Sequence, residues 1–393
     1  VTVAEPTVEP LVDDLLATYP PARISMAEFL GAQFDAGLAW VHYPLGYGGL
    51  EAPVALQARV DARLAAAGAP NGRPLNTTAY GQGAATILAY GTEDQKKRYL
   101  RRIFTCEDIW CQLFSEPGAG SDLAGLATRA VRDGEEWVVT GQKVWTTRGH
   151  LARYGLLLAR TDPDVPKHAG LTYFVLDMHQ PGVVVNPLRQ MDGGSSFNEV
   201  FLEEARVRDS ERLGEVGQGW AVSTTTLMNE RYNATGTAPA RGAGPIANAV
   251  SSWQQRAEND PGAAPALRDR LLGAWIDAEA QRLTALRATT ARRRGEAGAE
   301  GSIGKLATAE LAQRMAALTV DLLGAEGMLI EGYGPASDRS EYSRQRSFVA
   351  SPSSGMAGGT SPIQRNILGE RVLGLPRELD PYRNAPWREV PRS

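Results

Sequence analysis

The sequence is poor in the residues that would commit it to several functional classes. It has two cysteines in 393 residues, Cys106 and Cys111. That excludes a disulfide framework and makes a reducing, cytoplasmic compartment the expected one. Its four histidines, His42, His150, His168 and His179, stand at no metal-ligand spacing from another ligand, so no metal is expected. Lysine supplies few of the 41 basic residues, and a net charge of −4 gives no electrostatic case for a nucleic-acid partner. No apolar run is long enough to span a bilayer, and the opening stretch VTVAEPTVEP lacks the basic-then-apolar pattern of a secretory signal. A chain of this length can bury two or three sizeable cores.

What is present changes character twice along the chain. Residues 1 to about 110 read as helices: Asp13 to Thr18, Met26 to Ala36 and Pro53 to Ala67 carry helix formers between Pro and Gly breaks, and Thr92 is placed to cap Glu93 to Leu100. Residues 111 to about 213 read as strands. Ala127 to Arg132 and Glu136 to Thr140 flank Asp133-Gly134, a favoured two-residue hairpin turn. Further apolar runs follow at Tyr154 to Leu158, Thr172 to Leu176, Val183 to Val185 and Val200 to Leu202. From about 215 the helical pattern returns, with long stretches at Arg268 to Ala288 and Leu306 to Leu323. Asn259 to Ala264 reads as a surface loop, and the Pro- and Arg-rich tail from Pro376 as a surface or neighbour-wrapping segment.

Two short motifs carry chemistry. Phe114 to Asp122 (FSEPGAGSD) is a Gly-rich loop whose glycines let backbone N–H groups approach a polar ligand, with the Ser121 hydroxyl as a further donor. Taken alone it reads as a turn. Gln142 to Thr147 (QKVWTT) places Trp145 and Thr147 two apart, which on a strand puts both on one face. There an indole can cover a flat ring and a hydroxyl can donate to a ring nitrogen.

Together, in this order around a hairpin, the two motifs resemble the middle domain of acyl-CoA dehydrogenases. Gly214 to Trp220 (GEVGQGW) leading into Leu227 to Arg231 (LMNER) resembles the entry to that family's first C-terminal helix. Gly324-x-x-Gly327 is similar to its LGGxG turn. Gly359 to Arg365 (GTSPIQR), running on to Pro376, resembles its C-terminal flavin segment. The resemblance covers nearly the whole chain. It implies a mainly α fold with a central β domain: an N-terminal α-helical domain over 1–110, a middle β-barrel domain over 111–213, and a C-terminal four-helix-bundle domain with a tail over 214–393. It implies FAD as cofactor and acyl-CoA as substrate. Gln112, Phe114, Ser115, Gly120 and Ser121 would line the flavin ring and its ribityl–phosphate region, with Ser121 also near the thioester. Trp145, Thr146 and Thr147 would pack on the ring and bond near N5, and Thr360 would reach the flavin from the C-terminal domain. Leu227, Arg231 and Gly358 would border the substrate.

The sequence departs from the family's pattern in telling places. Where many members carry a catalytic glutamate before the C-terminal Gly-Thr, this chain has Gly358. Glu230, followed by Arg231, matches the alternative base position on the first C-terminal helix. Removal of a weakly acidic α-proton needs a carboxylate of raised pKa in a dry site and donors for the enolate oxygen, and Gly358 still offers an N–H. Burial against Leu227, Met228 and flavin would raise the pKa of Glu230, while Arg231 projects about 100° away on a helix. Gln255 to Leu271 lacks the family's Arg-x-x-Phe-Gly segment, and Asp321 stands where a carboxylate would repel a pyrophosphate. The leading expectation is an FAD-dependent acyl-CoA dehydrogenase with Glu230 as base. It would pass electrons to an electron-transfer flavoprotein and assemble as a homotetramer or homodimer. The alternatives are a non-catalytic subunit completing a paralogue's FAD site in a hetero-oligomer, and a flavin-dependent oxidase or monooxygenase.

Overall fold

A computed structural model describes residues 7–235, 238–259, 265–293, 300–329 and 344–391. The chain divides into two compact units. The first comprises residues 1–187, 196–229 and 381–393; the second comprises 188–195 and 230–380.

The first unit begins with helices α1 (Glu9–Thr18), α2 (Met26–Asp35), α3 (Gln57–Ala66), α4 (Ala84–Tyr90) and α5 (Glu93–Phe104). Thr92 caps α5 as expected, and it does so reciprocally: its hydroxyl accepts from Gln95 N while Gln95 Oε1 accepts from Thr92 N. The Gln95 amide also donates to the carbonyls of Ser210 and Arg212, which fixes the start of α5 to the far end of the strand region. A π-helical turn at Ala79–Gly83 precedes α4.

The strands are β1 (Trp110–Leu113), β2 (Arg129–Asp133), β3 (Glu136–Thr147), β4 (Tyr154–Arg160), β5 (Leu171–Asp177), β6 (Val183–Leu188), β7 (Phe197–Arg208) and β8 (Arg212–Leu213). They form one mixed sheet in the order β6-β7-β3-β2-β4-β5-β8, with β1 parallel to β4. The continuous apolar runs of β4 and β5 are explained by burial on both faces. Leu156, Leu158, Tyr173 and Val175 pack with the helices, while Leu157, Ala159, Phe174 and Leu176 pack among the other strands. The β2–β3 hairpin is present, but its turn lies one residue later than Asp133-Gly134. Asp133 pairs with Glu136, so Gly134-Glu135 is the loop, and Gly134 supplies its positive φ of 62°.

Helix α6 (Gly219–Thr235) follows the strands. The second unit contains α7 (Pro245–Asn259), α8 (Pro265–Arg293), α9 (Glu300–Leu323), α10 (Arg344–Ala350) and α11 (Ser361–Arg371). Leu311, Met315, Leu318 and Leu322 on α9 meet Ile246 and Ala249 of α7 and Leu271 and Ala274 of α8. The four α9 positions follow the spacing that keeps one helical face turned inward. Of the expected loop at Asn259 to Ala264, residues 260–264 lie outside the described residues.

Candidate active site

The two sequence motifs fold against each other. Val144 N donates to Ser115 O at 2.9 Å, and the Lys143 ammonium donates to Phe114 O at 3.0 Å. Lys143 is wholly buried and also bonds Glu116 Oε1 at 2.8 Å and Leu158 O at 2.9 Å, so all three of its donors are used. Glu116 in turn accepts from the backbone N–H groups of Ala127 and Thr128. Burial pushes its carboxyl pKa up, but Lys143 and these donors outweigh burial and hold it below the ordinary carboxyl range. The Gly-rich loop therefore leaves and rejoins the sheet through an ionised, hydrogen-bonded neck. Within it Glu116 and Ala119 bond each other reciprocally around Pro117-Gly118. Sequence reasoning quoted Glu116 and Lys143 but gave them no role. The signal lay in the alternation of β3, where Trp137, Val139 and Lys143 share the buried parity.

Strand β3 carries a bulge at the second motif. Lys143 pairs with Val200 but Thr146 pairs with Asn198, so three steps on β3 match two on β7. Trp145 is the residue that turns, with φ 61°. It stands 61% exposed, its ring edge-on to Phe197 at 5.9 Å, and Thr147 is exposed too. Regular strand alternation does not put them there; the bulge re-aims the indole. Thr146, between them, faces the other way. It is fully buried beside Gly149 and Asn198, and its hydroxyl has no hydrogen-bond partner.

Phe114 is buried too. Its side chain is core, edge-on to Tyr173 at 5.7 Å. Gln112 is half-buried on β1 opposite Leu156, and Ser115 is half-buried with its carbonyl taken by Val144. Gly120 and Ser121 are exposed, and a Cβ built at Gly118 or Gly120 would meet nothing within 4 Å.

The first turns of α6 are bound into the same unit by hydroxyls. Thr226 Oγ1 lies 3.1 Å from the Tyr173 hydroxyl and 2.9 Å from Thr86 Oγ1, all three buried. Leu227 is half-buried against the helical core. Glu230 and Arg231 belong to the same helix, four and five residues after Thr226, but their side chains lie outside the described residues.

In the second unit, Thr360 caps α11, its hydroxyl accepting from Ile363 N. Gly358 and Gly359 precede it with φ of 68° and 92°, and Gly358 O accepts from the buried Gln364 amide at 3.2 Å. Asp321 is not a bare carboxylate: Arg270 Nη1 sits 2.7 Å from its Oδ2, which removes the basis for an expected repulsion of phosphate.

On these grounds the first unit fits a flavin. Open space faces the backbone of Gly118 and Gly120, and an exposed indole stands on the strand bonded to Ser115.

Comparisons with known proteins agree. The acyl-CoA dehydrogenase N-terminal, middle and C-terminal domain models match residues 3–107, 111–205 and 217–373. Acyl-CoA dehydrogenase IpdE1 of Mycobacterium tuberculosis is 37% identical, over 87% of this chain and 86% of the relative. Acyl-CoA dehydrogenase FadE34 of the same organism is 40% identical over 87% of the chain, which spans only 45% of that longer protein. Among solved structures, the Tcur3481-Tcur3483 steroid ACAD superimposes with a TM-score of 0.72 at 26% identity, covering 94% of this chain and 97% of that one. The ChsE4-ChsE5 complex from Mycobacterium tuberculosis gives 0.71 at 28%, covering 96% and 100%. The chain belongs to the acyl-CoA dehydrogenase family. It is an oxidoreductase acting on acyl-CoA, and the family implies a flavin cofactor. Among the described residues no helix is long and apolar enough to cross a membrane.

Proposed function

We propose that the chain binds FAD and dehydrogenates an acyl-CoA between Cα and Cβ, with Glu230 as the base that takes the α-proton. The observation that carries this reading is the union of FSEPGAGSD and QKVWTT through Lys143, Glu116 and Val144, which leaves Gly118, Gly120, Trp145 and Thr147 exposed. Gly120 and Ser121 would hold the ribityl–phosphate part, Gln112 and Ser115 the edge of the ring, and Trp145 with Thr147 its face and N5 side. Thr360 would also contact the flavin. Bound flavin supplies the acceptor for the β-hydride. The chain's own part is to orient the thioester, hold a carboxylate at Cα in a dry site and offer N–H donors to the carbonyl oxygen as charge builds there. Leu227 and Arg231 would border the substrate and the Gly358 backbone would meet the thioester oxygen.

Relatives described as steroid enzymes support a bulky acyl chain as substrate. An electron-transfer flavoprotein is the acceptor on this reading. The assembly is a hetero-oligomer with a paralogue or a homo-oligomer. Two solved relatives are named as pairs, and Leu272, Ile276, Leu283 and Leu286 form an exposed apolar row on α8 at helical spacing that a partner would cover. The test is direct. The purified chain should be yellow, and a bulky acyl-CoA should bleach it. Glu230→Gln should stay yellow and not bleach. Unchanged bleaching removes Glu230 from the role of base; a colourless, folded chain removes the self-sufficient dehydrogenase.

A further inference from the structure

The segment around Trp387 bears on residues 124–126, which follow directly on the Gly-rich loop. Arg160, the last residue of β4, is buried there. Its Nε donates to Leu126 O at 3.1 Å, its Nη2 to Ala124 O at 2.6 Å and its Nη1 to Lys167 O at 3.2 Å. The Trp387 ring lies over this guanidinium with 4.2 Å between Cζ and the ring centroid, and Trp387 Nε1 donates to Gly125 O at 3.2 Å. One arginine–tryptophan pair thus holds three consecutive carbonyls, those of Ala124, Gly125 and Leu126. An aromatic face over a cation strengthens it, and charged donors make the stronger hydrogen bonds.

The segment that brings Trp387 is itself pinned. Trp387 N donates to Val165 O at 2.9 Å, Arg388 N to Pro163 O at 3.1 Å, and Arg388 pairs with Asp164 at 2.8 Å. Two residues beyond Val165, Lys167 pairs with Asp122 of the loop at 2.9 Å. The tail from Pro376 is expected on the surface or around a neighbour; this part of it instead docks into its own unit.

We propose that Pro386 to Val390 is a clasp on the cofactor loop. By seating Trp387 on Arg160 it holds Gly118 to Asp122 in the conformation that receives the flavin, so Trp387 and Arg160 are positioning residues. The inference rests on the flavin reading above. A loop ordered before binding does not lose its freedom on binding, so loosening even one residue costs about tenfold in affinity.

The test uses the full chain stripped of flavin, Trp387→Ala and Trp387→Phe, titrated with FAD by flavin fluorescence. Amide exchange is followed in the flavin-free proteins. Trp387→Ala should raise the Kd about tenfold and speed exchange at residues 117–127 while β4 and β5 stay protected. Trp387→Phe, which keeps a ring over the guanidinium, should restore most of the affinity. A wild-type Kd in Trp387→Ala, or exchange quickened equally across β4 and β5, overturns the clasp. If the wild-type chain takes up no FAD, the flavin reading falls and the clasp with it; wild-type uptake with an unaffected variant removes the clasp alone. Should Trp387→Ala not fold, Arg388→Glu sets like charges against Asp164 and is read by the same two measurements, with unchanged Kd and loop exchange overturning the proposal.

Discussion

Glu116→Gln tests whether the buried ion pair holds the two flavin motifs together. In the wild type the Lys143 ammonium has three acceptors at 2.8–3.0 Å, and only Glu116 among them carries charge. The glutamine keeps the shape but not the charge. Its oxygen can take the place of Oε1 and accept from Lys143 and Thr128 N, but its NH2 then faces the N–H of Ala127, donor against donor. Breaking a buried pair from one side costs about 3–5 kcal/mol, because the remaining charge stays desolvated. At about 2–4 °C per kcal/mol for a unit of this size, the Tm should fall by about 10 °C. Adding Lys143→Met removes the stranded charge. The double variant should regain about half the loss, the rest reflecting the two carbonyls left without their donor.

The pH dependence has a definite sign. Glu116 is shifted down in the folded state, so its contribution is present above the ordinary carboxyl value and is lost as pH falls through the lower, folded value. Urea unfolding followed by circular dichroism should therefore show the wild type and Glu116→Gln far apart at pH 7 and converging in acid. A Glu116→Gln variant within about 0.5 kcal/mol of wild type at pH 7, or a double variant showing no coupling, refutes this account.

Two further outcomes follow from the geometry, beside those stated for Glu230 and Trp387. Trp145→Ala should leave the Tm nearly unchanged, since an exposed side chain contributes within about 0.5 kcal/mol, yet lower flavin affinity in a fluorescence titration; a large Tm loss with unchanged affinity would make Trp145 structural. Gly358→Glu should destabilise the second unit by about 1–2 kcal/mol in urea unfolding, because φ 68° is left-handed; a neutral result would mean the turn relaxes without cost.

Local signals carried the fold well. Thr92 with Gln95 three residues on declared a helix start, and the unbroken apolar runs of β4 and β5 announced strands buried on both faces. What stayed hidden was non-local or unmarked. The bulge in β3 turns on a tryptophan, not on a glycine that would have flagged a left-handed residue, so no sign in the sequence showed that a bulge is what turns Trp145 outward. Lys143 is tolerable in the interior only because Glu116, 27 residues earlier, meets it. Asp321 is neutralised by Arg270 on another helix, a partner no local pattern names. The Trp387 dock joins residues 262 apart and was invisible for the same reason.

The loss of the family's usual base at position 358 has a structural counterpart. Gly358 and Gly359 both hold positive φ, and a Cβ at Gly359 would stand 2.6 Å from the Gln364 amide nitrogen. That amide is buried and donates to Gly358 O, while Thr360 closes the first turn of α11. A glutamate at 358 would pay backbone strain before doing any chemistry. Position 230, by contrast, lies on ordinary helical backbone, one turn after a threonine fixed by Tyr173 and Thr86. On the proposed function the turn is left to present backbone N–H groups, and the α-proton is taken by a carboxylate carried on a regular helix. Restoring a base at 358 in a Glu230→Gln background should therefore fail to bring back bleaching. A double variant that bleaches would show that the turn can carry the carboxylate, and that strain is not what moved the base.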